Sequence, residues 1–162
     1  MRLDFRSGFY GGLSCAVLIG LYLVWLWQPE RQVRLHTRHL ISEIEQKDWP
    51  AVRAFIAEDY HDDWGHDREE LLHRIREVVR YTRNFQISWN QERIELERQR
   101  GTWSATIKVE GEGDVVGMIK ERLNAVATPF ELDWRRMSAR PWDWKLTLVT
   151  NPGLSIPALP IE

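Results

Sequence analysis

The sequence predicts an α+β fold, helices first and an antiparallel sheet after them, set behind one transmembrane helix. Three observations carry that prediction. From Gly8 to Trp27 there are 20 consecutive uncharged residues, 15 of them apolar, in a chain whose mean hydropathy of −0.44 otherwise suits water. From Arg31 to Tyr81 apolar side chains recur at the spacing of amphipathic helices. From Phe85 onward the period changes to two, the mark of half-buried strands.

Residues 1–7 read as a short leader and 8–28 as the membrane helix. A helix rises about 1.5 Å per residue, so the uncharged run covers about 30 Å, the thickness of a bilayer's hydrocarbon core. The run ends in Trp25 and Trp27, rings suited to the headgroup level, followed at once by Gln28, Pro29, Glu30 and Arg31. Trp25-Leu26-Trp27-Gln28 offers no small-residue cleavage site, and Cys15 lies inside the run, so an uncleaved anchor is expected over a cleaved signal. Gly8, Gly12, Ala16 and Gly20 fall on one helix side at the spacing that lets two membrane helices pack closely, which points to a homodimer. Flanking arginines (Arg2 and Arg6 before the run, Arg31, Arg34 and Arg38 after it) slightly favour a cytoplasmic domain. The brief leader and the absence of cysteine beyond Cys15 suit export, and a bacterial inner-membrane anchor with an exported C-terminal domain is the expectation.

The remaining elements follow in order. Residues 29–47 form a juxtamembrane helix with Val33, Leu35, Leu40, Ile41 and Ile44 on its apolar side. Asp48-Trp49-Pro50 opens a short helix to about Glu58, with Val52, Phe55 and Ile56 at i, i+3, i+4. Tyr60 to Gly65 has no helical period and reads as a loop or short strand. Asp67-x-x-Glu70 is a capping arrangement ahead of the stripe Leu71, Leu72, Ile75, Val78 and Val79, a helix to about Tyr81. Phe85, Ile87 and Trp89 alternate, then Ile94 and Leu96 alternate in the opposite phase, so one long bent strand with a bulge near Asn90–Arg93 is predicted. Gly101 marks a turn, and Trp103, Ala105, Ile107 and Val109 supply the next strand. Gly111, Gly113 and Gly117 loosen the connection that follows, and Val115–Val126 is ambiguous. Phe130, Leu132 and Trp134 form one strand and Trp142, Trp144, Leu146 and Leu148 another, joined through Ala139-Arg140-Pro141. Residues 152–162 carry Pro152, Pro157 and Pro160 and read as an extended tail.

Composition removes several functions. One cysteine makes no internal disulfide and no zinc cluster. A net charge of −2 gives no overall attraction to nucleic acid; Arg93, Arg98, Arg100, Arg135 and Arg136 are interleaved with acids, the pattern of a solvated sheet face. Gly111-x-Gly113 with Gly117 lacks a βα setting and is no phosphate loop. His61-Asp62-Asp63 with His66 is the densest set of acid–base or metal-ligand types, yet all four lie within six residues of a polar segment, where solvated or capping roles are usual. No metal, cofactor or catalytic residue is assigned.

The three helices, the long bent strand, the meander strands and the late Trp142-Asp143-Trp144-Lys145-Leu146 strand resemble the nuclear transport factor 2-like (NTF2-like) superfamily. The resemblance covers residues 38–151. It implies a curved sheet wrapped around the long helix as a cone with a pocket, and frequent dimerisation through the outer sheet face. Ketosteroid isomerase, the SnoaL-type cyclases and scytalone dehydratase share this fold. The isomerase would imply a carboxylate base and a tyrosine–acid oxyanion pair; Tyr60, Tyr81, Asp62 and Asp133 supply the residue types without a motif, and Asp133 should face away from Phe130, Leu132 and Trp134. In such a cone Tyr60, Trp64, Trp89, Trp103, Phe130, Trp134 and Trp144 are the candidate pocket lining, or else they fill the core. One membrane helix joined to a domain of this fold also resembles the inner-membrane assembly factors of type IV secretion machines, whose cytoplasmic tails are longer than Met1–Ser7. The functional expectation is a membrane-anchored, dimeric, non-catalytic binding or assembly domain, partnered by the bilayer and a membrane-complex protein. The alternative is a small-molecule or lipid-binding domain, or an isomerase or dehydratase, that uses the cone.

Overall fold

The protein is seen in a computed structural model that describes residues 5–80, 82–113, 120–121 and 123–154, with side chains in the first helix at Tyr10 and from Gly12 onward. Helix α1 (Phe5–Leu26) meets α2 (Pro29–Gln46) at a 70° bend. Proline cannot donate to a preceding turn and pushes the residue before it out of helical geometry, so Gln28 is extended (φ −58°, ψ 131°) and the chain turns there. The side chain of Gln32 donates to the Leu26 carbonyl at 2.8 Å, satisfying an acceptor that the end of α1 leaves free.

Among the described residues no single helix is long and apolar enough to cross a membrane; Gly12–Leu26 and Pro29–Gln46 pass that test only as a bent pair. From Gly12 to Leu26 a helix covers about 22 Å, short of the hydrocarbon thickness. The predicted span 8–28 is thus not supported by these residues alone, and it begins at Gly8, whose surroundings lie outside the described side chains. Gly12 and Gly20 face open space within the chain, and Ala16 is exposed.

The helices after the elbow start where their sequence signals place them, but the short helix that Asp48 opens ends at Phe55, short of the expected Glu58, because Ile56 is already extended and pairs with the sheet. Helix α2 stops at Lys47, held in the left-handed region (φ 61°) with the N–H groups of Lys47 and Asp48 bonded back to Ile44 and Glu43. Asp48 caps α3 (Trp49–Phe55) by accepting from Ala51 N–H, and Asp67 accepts from Glu70 N–H ahead of α4 (Arg68–Arg80). Ile56 then pairs in parallel with Leu146, and the segment runs along that sheet edge as far as His61, whose N–H bonds to Thr147.

Four strands follow: β1 (Arg83–Glu97), β2 (Arg100–Glu112), β3 (Phe130–Arg136) and β4 (Trp144–Thr150), in the order β1-β2-β3-β4 with every neighbour antiparallel. The bulge in β1 lies between Asn90 and Arg93, with Gln91 at φ 57°. It reverses the phase, so that Trp89 and Ile94 both pack on the main core.

Three details differ from the sequence reading. The β1–β2 turn is at Arg98-Gln99, with Arg98 at φ 52°, and Gly101 lies inside β2 opposite Leu96 and Trp134. A Cβ at Gly101 would stand 2.6 Å from Cγ2 of Val33, so glycine is required by the closeness of α2, not by a turn. Trp142 lies outside β4 and is exposed, and a register shift opposite Asp133–Trp134 brings Val149 to the core in place of Leu148. Finally, the chain does not straighten at Asn151. The Asn151 amide binds the carbonyls of Thr128 and Pro129 and accepts from Thr128 and Gly153, so the chain through Leu154 is tied to the sheet. Within Val115–Val126, residues 120–121 and 123–125 are helical; Gly117 and most of the predicted tail lie outside the described residues.

Gly101→Ala forces Val33 or the whole of α2 away from the sheet. We expect a loss of about 1–3 kcal/mol, read as a lower urea midpoint in the near-ultraviolet circular dichroism of the buried tryptophans; an unchanged midpoint would show that α2 yields freely.

Candidate functional site

The inward positions of β2, β3 and β4 alternate with outward polar ones, and this places Trp103, Ala105, Phe130, Leu132, Trp134, Trp144 and Leu146 on one surface beneath α2. Trp103 and Trp134 are 0% exposed and Trp144 2%. Trp89 packs edge-on against Trp103, with centroids 6.2 Å apart and planes at 72°. Glu92, aimed inward by the bulge, accepts from the Trp103 indole at 2.7 Å and from Arg34 at 3.2 Å. The Trp144 indole donates to Pro141 and the half-buried Trp64 indole to Leu154. Five of the seven aromatics singled out in the sequence, Tyr60, Trp103, Phe130, Trp134 and Trp144, thus belong to one packed core, with Trp89 against it.

Two clefts lie elsewhere. A groove of about 770 Å³ beside α3 is bordered by Arg53, Arg68, Arg135 and Lys145 together with Glu58 and Asp59. Its cations are largely engaged inside the chain: Arg53 pairs with Glu69 at 2.5 Å, Arg135 binds both oxygens of Asp59 at 2.7 Å, and Lys145 donates to the Ala54 carbonyl. The hydrogen bonds and charge of Arg135 hold the Asp59 carboxyl below its ordinary range. A second cleft of about 650 Å³ lies on the polar outer face beside the β1 bulge. Neither cleft is bordered by any of the seven aromatics. Asp133 accepts from Thr102 on that outer face, the side expected for it.

The polar cluster before α4 is divided by the fold. His61 and Asp63 are exposed, whereas Asp62 and His66 are buried against each other. Asp62 Oδ1 accepts from the backbone N–H of Trp64 (3.0 Å) and His66 (2.8 Å), and Oδ2 lies 2.9 Å from His66 Nδ1. Gly65 at φ 84° closes the turn between them. A carboxylate that orients an imidazole is a chemical device as well as a structural one, but here Asp62 also closes the loop that carries His66. Tyr60, next to this pair and 3% exposed, has its hydroxyl pKa pushed up by burial and by the Asp62 charge, so it stays a neutral phenol. Among the described residues no group of three His, Cys, Asp or Glu side chains could hold a metal ion.

His36 was not singled out in the sequence, because one histidine on a mixed helix face gives no signal there. Its two ring nitrogens lie against carbonyls, Nδ1 against Gln32 at 2.8 Å and Nε2 against Trp142 at 3.0 Å, and its ring meets Phe55 and Trp134 edge-on. A carbonyl only accepts, so the neutral ring satisfies one of the two bonds and the imidazolium both. Burial nevertheless dominates and holds the pKa below 6.5, helped by the charges of His39 and Lys145.

No family model matches the chain, and no curated protein matches it in sequence. Solved structures do. A protein of Bdellovibrio bacteriovorus, Bd1075, aligns over 74% of this chain with a TM-score of 0.57 and 8% identity, and this chain spans 40% of its length. An NTF2-like protein from Cytophaga hutchinsonii aligns over 74% of this chain and 94% of its own, with a TM-score of 0.53 and 15% identity. An NTF2-like chain from Streptomyces avermitilis, provisionally assigned as a dehydratase, aligns over 74% and 91%, with a TM-score of 0.52 and 14% identity. At such identities the likeness concerns the fold alone: the domain has an NTF2-like α+β fold, with helices packed on a four-stranded antiparallel sheet.

Asp62→Ala removes the acceptor of two backbone N–H groups and of the His66 ring. We expect about 2–4 kcal/mol of destabilisation and faster amide exchange at Trp64 and His66; normal exchange there would refute the loop-closing role. His36 makes a pH-dependent contribution. Its folded pKa is depressed, so the unfolded chain binds the proton more readily; stability is full above 6.5 and declines as pH falls below it. His36→Gln should flatten that decline in melting temperature between neutral and mildly acidic pH, and an unaltered slope would assign it to other groups.

Proposed function

We propose that the chain is a single-pass membrane-anchored protein whose NTF2-like domain acts by binding or assembly and carries out no chemistry of its own. The observation that carries this reading is the surface of α1. Leu13, Val17, Leu18, Ile19, Leu21, Tyr22 and Val24 are all more than half exposed, and they surround the helix; a continuous apolar surface of that kind needs lipid or protein around it. The whole of α1 has 22 residues, about 33 Å at helical rise, which matches a bilayer core. The filled interior supports the non-catalytic part, because the three indoles occupy the volume in which a cone of this fold could hold a ligand. On this reading Gly8, Gly12, Ala16 and Gly20 form the surface for a second copy, and the domain lies on the exported side of a bacterial inner membrane beside a membrane-complex partner.

One observation favours a second reading, a small-molecule or lipid-binding domain or enzyme. Thr37 Oγ1, the Tyr60 hydroxyl and the Trp134 indole N–H are buried without a hydrogen bond of normal geometry, and a polar ligand would have to address them. The provisional dehydratase assignment belongs to the Streptomyces protein and adds the fold alone.

Two measurements separate these readings. The chain should stay with membranes through alkaline extraction, and Val17→Lys with Leu18→Lys, at about 3 kcal/mol each near a helix centre, should release it; a wild-type chain found in the soluble fraction would remove the anchor. Native mass spectrometry of the detergent-released chain should show no bound metabolite or acyl lipid in the domain. A stoichiometric small molecule that is lost in Trp134→Phe would establish the second reading.

A further inference from the structure

The end of the domain next to α1 has a composition that the anchor alone does not require. Both hairpin turns of an antiparallel meander that starts with β1 point the same way, and here the β1–β2 turn and the β3–β4 connection are joined by Arg136 N–H donating to the Gln99 carbonyl at 2.9 Å. The Met137 N–H closes the second hairpin on Asp143 at 2.8 Å. Trp142, carried on that hairpin, lies 6.1 Å from Trp27 at the end of α1, and His36 holds the backbone of Trp142 to α2. The two turns therefore stand at the level where the apolar helix ends.

The side chains at this level are of two kinds. Trp25, Trp27, Trp142, Met137 and Leu96 are exposed, at 39–53% of their surface. Arg98, Arg100 and Arg140 are exposed and make no ion pair among the described residues, while Arg31 lies over the Trp25 ring at 3.1 Å from its centroid. Glu30, Glu97 and Asp143 are acids at this end; Glu30 already pairs with Arg34, and Glu97 stands opposite Arg100 in the β1–β2 register without an ion pair between them. Amphipathic indoles beside unpaired guanidinium groups are the chemistry of a bilayer interface with anionic headgroups.

We propose that this end of the domain is a second membrane contact, in which Trp142 and Met137 enter the headgroup layer and Arg98, Arg100 and Arg140 bind anionic phospholipid. The proposal rests on α1 being the anchor. It goes beyond that reading by fixing the pose: the domain sits down on the bilayer through its two turns and does not swing free on the Pro29 elbow, leaving the outer sheet face for partners, while the groove beside α3, which Met137 also lines, opens next to the membrane.

The full chain in vesicles tests both levels separately. A fluorophore on the native Cys15 reports the anchor, and a fluorophore at Ala139 in a Cys15→Ser, Ala139→Cys chain reports the turn. A third chain, with Cys15→Ser and Glu110→Cys, reports the opposite end of β2, about 30 Å away at strand rise. In phosphatidylglycerol-containing vesicles we expect deep spin-labelled lipid to quench the probe on Cys15 and headgroup spin label to quench the probe at 139 but not at 110. Each of Arg98→Gln and Arg140→Gln should lower the docked-to-free ratio at 139 about fivefold, and Trp142→Ser should lower it as well. Quenching at Cys15 without quenching at 139 would overturn the contact and leave the anchor standing. No quenching at Cys15 would overturn the anchor and the contact with it. Equal quenching at 139 in phosphatidylcholine alone would overturn the role given to anionic lipid.

Discussion

The close approach of α2 to the sheet at Gly101 is the constraint on which the rest of the domain depends. Val33 is fully buried there, nearer than any Cβ on β2 would permit. Because α2 is rigid, seating Val33 also seats its neighbours. Arg34 reaches Glu92 on the β1 bulge, His36 reaches the Trp142 carbonyl on the β3–β4 connection, and Gln32 reaches back to the last turn of α1. One glycine thus fixes the helix that joins the sheet, the hairpin and the apolar segment.

Two of the buried polar side chains, Asp62 and Asn151, are committed to irregular backbone. Asp62 closes the loop before α4, Asn151 ties the chain after β4 to the segment before β3, and the partly buried Asn124 pairs with both backbone groups of Val109. Glu92 answers an indole and a guanidinium. Buried groups need such partners, and a carboxylate or amide engaged in two or three of them is poorly placed to move protons. That, with the tryptophan-filled interior, is the physical content of the non-catalytic reading.

The two regimes of the sequence meet at a defined joint. Pro29 bends the chain and Gln32 satisfies the end of α1, and the indoles of Trp27 and Trp142 lie side by side across the joint. Setting aside Arg2, Arg6 and Asp4, the residues after the elbow carry 20 basic and 23 acidic side chains, so the domain as a whole is mildly acidic. Three arginines without an ion pair among the described residues, Arg98, Arg100 and Arg140, lie at the end that faces the apolar helix, a local charge that a net charge conceals.

Local periodicity by itself determined the order of elements, the capping residues Asp48 and Asp67, the phase reversal near Asn90–Arg93 and the alternation that sends Trp103, Phe130 and Trp134 inward. These are legible because a helix or strand writes its buried face at a fixed spacing, and caps act over three residues. The uncharged run was equally plain, whereas membrane crossing by it is a matter of what surrounds α1. Tertiary structure alone decided why residue 101 is glycine, since its reason lies 68 positions away in Val33. It also placed Trp142 outside the sheet, buried Asp62 with His66 while leaving His61 and Asp63 in solvent, and set His36 between two carbonyls. Each of those outcomes depends on contacts between residues distant in the chain or on the closure of one loop, and spacing along a sequence carries no record of either.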